Sequence, residues 1–114
     1  MSLDKKRIAY VDWNYGWRDL MESTLYDYIF RKFNSLDNAK NISTSELEKF
    51  DLIISERKFA VEDDGLIWLE DLRNAGHKVL LFSYNIYGQH DLPILCKNDS
   101  SRLVIRAMVE QLTS

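Results

Sequence analysis

The chain contains one cysteine, Cys96, and one proline, Pro93. A lone cysteine excludes a disulfide within the chain and leaves no thiolate set for a structural zinc. Such sparing use of cysteine fits a reducing cytoplasm, where the protein is expected. Only four glycines occur, so no Gly- or Pro-rich stretch reads as an interdomain linker. The longest apolar runs, such as Val79 to Phe82, are far too short to span a membrane. The N-terminal Met-Ser-Leu-Asp-Lys-Lys-Arg lacks the apolar stretch of a secretory leader. There is no basic block: 15 Lys and Arg stand against 18 Asp and Glu, for a formal net charge of -3. Direct nucleic-acid binding by this segment is therefore not expected.

What is present is material for one core. Hydrophobic residues make up 46% of 114 residues and include three Trp, six Tyr and five Phe. That length suits one domain over residues 1–114, and the natural chain is free to continue past Ser114. Short apolar runs alternate with amphipathic stretches. Arg7 to Trp13 reads as a buried strand. A helix is expected from about Tyr15 to Phe33, because Trp17, Leu20, Met21, Thr24, Leu25, Tyr28 and Ile29 recur at three- and four-residue steps. Ala39 to Ile42 is compatible with a short strand. Ser45, with Glu48 three residues on, suggests a capped helix start. Asp51 to Ser55 is a second clear strand, Gly65 to Asn74 a helix stopped at Gly76, and Lys78 to Ser83 a third strand. Ile94 to Cys96 is a short further strand. A last helix, capped by Ser100 or Ser101, is expected to bury Leu103, Val104, Ala107, Met108 and Leu112.

Strands separated by helices predict an α/β fold, an open parallel sheet covered on both faces. In such sheets the functional crevice lies beyond the carboxyl ends of the strands. That singles out Asp12 and Trp13, Ser55 and Glu56, Ser83 and Tyr84, and Lys97 and Asn98.

These strand ends carry a family resemblance. Asp51-Leu-Ile-Ile-Ser-Glu56, followed by Asp64-Gly-Leu-Ile-Trp-Leu-Glu-Asp-Leu-Arg73, is similar to the response-regulator receiver domains of two-component systems. There a strand ends in the phosphorylated aspartate, and an Asp-Gly-Leu helix start follows. Val79 to Ser83 resembles the receiver strand that ends in Thr or Ser, and Cys96-Lys97 the strand end that carries the receiver lysine. The resemblance implies a flavodoxin-like doubly wound sheet of about five strands in the order 2-1-3-4-5. The stretch from Ser83 to Lys97 is short, so the fourth helix is expected to be shortened or missing. The implied pocket is Asp12, Glu56, Ser83 and Lys97. The implied partners are an output domain or partner protein, and on the input side a sensor histidine kinase; a homodimer stays open.

The departures from the receiver pattern bear on chemistry. Receivers usually end the first strand with two adjacent acids that hold Mg²⁺, whereas here Trp13 follows Asp12. Glu56 stands at the acceptor position, Asn98 follows the lysine in place of proline, and Ile94 replaces the aromatic switch residue. A Glu in place of Asp moves the nucleophilic oxygen by about one methylene, and a misplacement on the order of 1 Å can cost ~100-fold in rate. Mg²⁺ wants near-octahedral oxygen ligands, so no cofactor is expected, and Asp12 as a metal ligand is the lesser alternative. Glu56 is expected to reach Lys97 as a permanent ion pair, with Ser83 beside it, giving a pocket that is not phosphorylated in the usual way.

Other residues draw plainer readings. Trp13, Tyr15, Trp17 and Tyr84 are expected to fill space left by the metal and its water, ahead of binding a planar ligand. His77 and His90 have no partner at ligand spacing, Cys96 reads as an inert core residue, and Glu62-Asp63-Asp64 as a solvated loop with a helix cap. Ile86, Tyr87 and Leu103 are candidates for a partner surface. Two alternatives remain: a working phosphoacceptor, and a small phosphatase resembling the haloacid-dehalogenase type, with Asp12 as nucleophile but Asn14 where that family has its second Asp.

Overall fold

The computed structural model describes residues 5–57, 65–84, 91–98 and 101–114. The elements run β1 (Arg7–Val11), α1 (Tyr15–Thr24), β2 (Ile29–Phe33), α2 (Leu36–Lys40), α3 (Thr44–Leu47), β3 (Leu52–Ser55), α4 (Gly65–Asn74), β4 (Val79–Ser83), β5 (Ile94–Cys96) and α5 (Ser101–Thr113). The strands form one sheet in the order β2-β1-β3-β4-β5, and every pairing is parallel. This is the doubly wound, flavodoxin-like order that the receiver resemblance implied. None of the described residues between β4 and β5 is helical; residues 85–90 lie outside the described set.

Alternate residues of a strand face opposite sides, and the central strands are apolar on both. Ala9, Val11, Ile53, Val79 and Leu81 pack on one face with Leu36 and Ala39 of α2 and Leu66, Leu69 and Leu72 of α4. Ile8, Tyr10, Leu52, Ile54, Leu80 and Phe82 pack on the other with Met21 and Leu25, and with Ile105 and Val109 of α5. Two cores flank the sheet, one on each face.

The expected long helix from Tyr15 to Phe33 is two elements. α1 ends at Thr24, the Leu25 N–H bonds the Met21 carbonyl, and β2 begins where Ile29 N–H meets the Lys6 carbonyl. Tyr28, Ile29, Phe30 and Phe33 satisfy helical spacing, but dense aromatic and β-branched content favours a strand. Beside β1 the strand also gains a ladder of hydrogen bonds. The short strand considered over Ala39 to Ile42 is instead the end of α2 and its exit. Ser35 caps that helix by accepting from Asn38 N–H, and Leu36 and Ala39 bury its inner face. The next cap is Ser43, which accepts from Glu46 N–H, two residues before the expected Ser45.

In α5 the buried stripe is rotated. Ile105 and Val109 are fully buried, Met108 and Leu112 partly, while Leu103, Val104 and Ala107 are exposed. The consecutive Leu-Val-Ile satisfies either frame, so periodicity alone does not choose. At the end of α4, Gly76 adopts a φ of 100°, a left-handed cap that glycine takes without strain. Cys96 is only half-buried because β5 is an edge strand. On the opposite side, Arg106 grips both Asp27 oxygens and the Thr24 carbonyl, tying α5 to the exit of α1. That guanidinium holds the Asp27 carboxyl below its ordinary value.

Candidate functional site

Three charged side chains meet at the carboxyl edge of the sheet. Asp12 follows β1, its N–H bonded to the Phe33 carbonyl of β2. Glu56 follows β3, its N–H on the Val11 carbonyl, and Lys97 follows β5, its N–H on the Ser83 carbonyl. Each is carried out of a central or neighbouring strand by one more ladder bond, which aims it at the crevice. Asp12, Glu56 and Lys97 are 0%, 4% and 3% exposed. The Lys97 ammonium lies 2.6 Å from Asp12 Oδ2 and also donates to Glu56 Oε2. Ser83 is buried beside them at the end of β4.

The remaining carboxylate oxygens are also engaged. Asp12 Oδ1 accepts from Asn14 N–H at 3.0 Å, so Asp12 also braces the turn into α1. Asn14 in turn caps α1 by accepting from Trp17 N–H at 3.1 Å. Glu56 Oε1 accepts from Arg57 N–H at 2.7 Å. Arg18 of α1 donates to the Asp12 carbonyl at 2.7 Å. Two carboxylates facing one ammonium carry a formal excess of one negative charge away from water. Charges so buried persist only when paired and hydrogen-bonded. Among the described residues no buried side-chain nitrogen or oxygen lacks a partner.

Tyr10 is the member that sequence reasoning missed. Its hydroxyl donates to Asp12 Oδ2 at 2.6 Å, the same oxygen that Lys97 holds. The ring is buried between Phe30 and Phe82. Burial, with the Asp12 carboxylate in front of it, pushes the phenol well above its ordinary value, so Tyr10 stays protonated and remains a donor. A signal did exist: residues two apart share a strand face, so Tyr10 and Asp12 are neighbours by position alone.

The aromatic residues divide. Trp17 N–H donates to the Tyr84 hydroxyl at 3.2 Å, and the Lys97 ammonium sits 5.4, 5.5 and 5.6 Å from the ring centroids of Trp17, Phe82 and Tyr84. These rings attract the cation. Trp13 and Tyr84 are 59% and 60% exposed, and Tyr15 is more exposed still. Only Trp17 of the four is half-buried at the pocket, with Tyr84 at its rim, which corrects the expectation that all four aromatics would take up vacated space; the ion cluster occupies it. His77 is half-buried at the opposite end of the sheet, before β4. His90, Ile86, Tyr87, Ser100 and the Glu62-Asp63-Asp64 cluster lie outside the described residues.

The donor set does not fit the Mg²⁺ that receiver chemistry implies. A hard cation needs several free oxygen ligands, yet Asp12 and Glu56 both spend their oxygens on N–H and O–H donors, and an exposed indole follows Asp12. Among the described residues no group of three or more His, Cys, Asp or Glu stands together as a metal site.

No protein-family model matches this chain, and no curated protein sequence does. Solved structures do. The response regulator TrrA from Thermotoga maritima, in complex with Mg²⁺ and beryllium fluoride, is similar with a TM-score of 0.76 at 21% identity, over 94% of this chain and 98% of that one. The receiver domain of the hybrid histidine kinase CckA gives 0.77 at 20% identity, over 95% and 99%. An orphan response regulator of H. pylori gives 0.71 at 15% identity, over 96% and 97%. Strand order, crossovers and near-complete mutual coverage agree: this chain has the fold of the response-regulator receiver domains.

Proposed function

We propose that this chain is a receiver domain of two-component type whose pocket is held permanently by an internal ion cluster and is not phosphorylated in the usual way. It acts in the cytoplasm through protein–protein contacts, with an output domain or partner reading its state. The observation that carries this is the Lys97 ammonium shared between Asp12 and Glu56 in a buried pocket. In phosphoryl transfer to a carboxylate, the attacking oxygen must lie in line with the donor phosphorus while cations gather the charge of the moving group. Here Glu56 would have to leave both Lys97 and Arg57 N–H to attack. No metal-ready carboxylate pair stands by to offset that loss. The Glu56 carboxylate supplies the contact that a phosphorylated aspartate would otherwise offer Lys97, so the domain rests in one state.

The fold supports the coarser part of this reading, since TrrA and CckA are signalling proteins by their descriptions. The phosphatase alternative draws no support from Asn14, whose side chain is used as a helix cap. The membrane has no part in the reading: no helix among the described residues is long and apolar enough to cross one.

Incubation with a small phosphate donor and Mg²⁺, followed by intact mass, tests the proposal. The expected result is no added phosphoryl mass over hours. A phosphoryl adduct that disappears in Glu56→Gln would instead establish a working acceptor.

A further inference from the structure

A carboxylate at the end of a receiver-type first strand is expected to face a cation, yet here one of its oxygens is also claimed by a residue of its own strand. Tyr10 reaches Asp12 Oδ2 from two residues back, its fully buried ring packed with Phe30 and Phe82. Lys97 meets the same oxygen at 2.6 Å, and Asn14 N–H holds the other. We infer that Tyr10 is the specificity-determining residue of this pocket, its hydroxyl fixing Asp12 on Lys97 and turning it away from divalent cations. This rests on the closed-pocket reading above and deepens it.

The physical argument is competition for lone pairs. A carboxylate oxygen that accepts two short hydrogen bonds, one from an ammonium, is a poor ligand for a hard cation until at least one donor leaves. Lys97 holds that oxygen through a flexible four-carbon stem, whereas the Tyr10 hydroxyl is carried on a rigid ring buried with Phe30 and Phe82. The exposed Trp13 removes the second acid, but it leaves Asp12 itself untouched. Restoring an acid at position 13 therefore recovers cation affinity only in part while Tyr10 remains.

Mn²⁺ binding, read by electron paramagnetic resonance, separates these contributions in the full chain. The proteins are the unsubstituted form, Trp13→Asp, Tyr10→Phe and the double variant, each checked for native near-ultraviolet dichroism. The unsubstituted protein is expected to show no saturable binding at millimolar Mn²⁺. The double variant is expected to bind about tenfold tighter than Trp13→Asp, the scale of one lost charge-assisted hydrogen bond. Equal affinity in these two, or no binding by either, overturns the role of Tyr10 and leaves the closed-pocket reading standing. Saturable binding by the unsubstituted protein defeats the closed-pocket reading itself.

A second measurement needs no folded Tyr10 variant. Proton NMR of the unsubstituted protein should show a Tyr10 phenolic proton protected from exchange, and Asp12→Asn should move it. A Tyr10 hydroxyl in free exchange with water overturns the inference.

Discussion

Lys97→Met is expected to cost about 3–5 kcal/mol of folding stability, the scale seen when one partner of a buried charge cluster is removed. For a domain of this size that is a fall of roughly 10–25 °C in Tm. The methionine replaces the aliphatic stem well, so lost packing is a small part of the effect. What remains is Asp12 beside Glu56, both beneath the protein surface, with the ammonium that held them gone. The electrostatic origin has its own control. Adding Asp12→Asn and Glu56→Gln to Lys97→Met removes the charges that need compensation and should recover most of the lost stability. Equilibrium urea unfolding of the single and triple variants measures both numbers. A loss under about 1 kcal/mol in Lys97→Met, the range of exposed ion pairs, would mean that the cluster is solvated.

The second large effect comes from Gly65, the first residue of α4. A Cβ placed there would lie 1.9 Å from the Glu56 carbonyl oxygen and 2.9 Å from Ser55 Oγ. The nearer obstacle is backbone, so no side-chain rotation relieves it. Gly65 N–H also donates to the Arg57 carbonyl at 2.8 Å, which pins the start of α4 against the end of β3. Gly65→Ala must therefore shift the helix, or the strand end that carries Glu56. Overpacking of this kind typically costs 1–3 kcal/mol and sometimes more, and a clash with backbone puts Gly65→Ala at about 3 kcal/mol. Because Glu56 moves with its own carbonyl, the variant should also disturb the environment of Lys97 and the Trp17–Tyr84 pair, read as a change in tryptophan fluorescence. Unchanged stability and unchanged fluorescence would show that β3 and α4 are not in this close contact.

Much of the architecture was legible. β3, β4 and β5 are short apolar runs with a strand-end residue after each, and α4 runs from Gly65 to Asn74 as its leucine spacing predicts. β2 was not legible, because Tyr28 and Ile29 prolong the apolar rhythm of α1 and only the ladder with β1 decides against helix. α5 shows the same limit, since Leu103 and Val104 next to Ile105 leave the frame to be set by packing. At the site, the charged members could be found because strand ends in a doubly wound sheet converge. Tyr10 could not be found by that rule. A tyrosine inside a buried strand reads as core; the two-residue spacing puts it on the same face as Asp12, but only geometry shows that its hydroxyl bonds the carboxylate. The exposed Trp13 and Tyr15 were misread for the complementary reason: their sequence position puts them at the crevice, but their side chains lie in solvent.

The most direct test of the closed pocket is a crystal grown with Mg²⁺ and excess beryllium fluoride, a mimic of the phosphoryl group. Our account predicts an unmodified Glu56, with the Lys97 nitrogen still shared between the two carboxylates. Density for the mimic on Glu56 with a metal ion alongside, and Lys97 turned toward the fluorines, would contradict it.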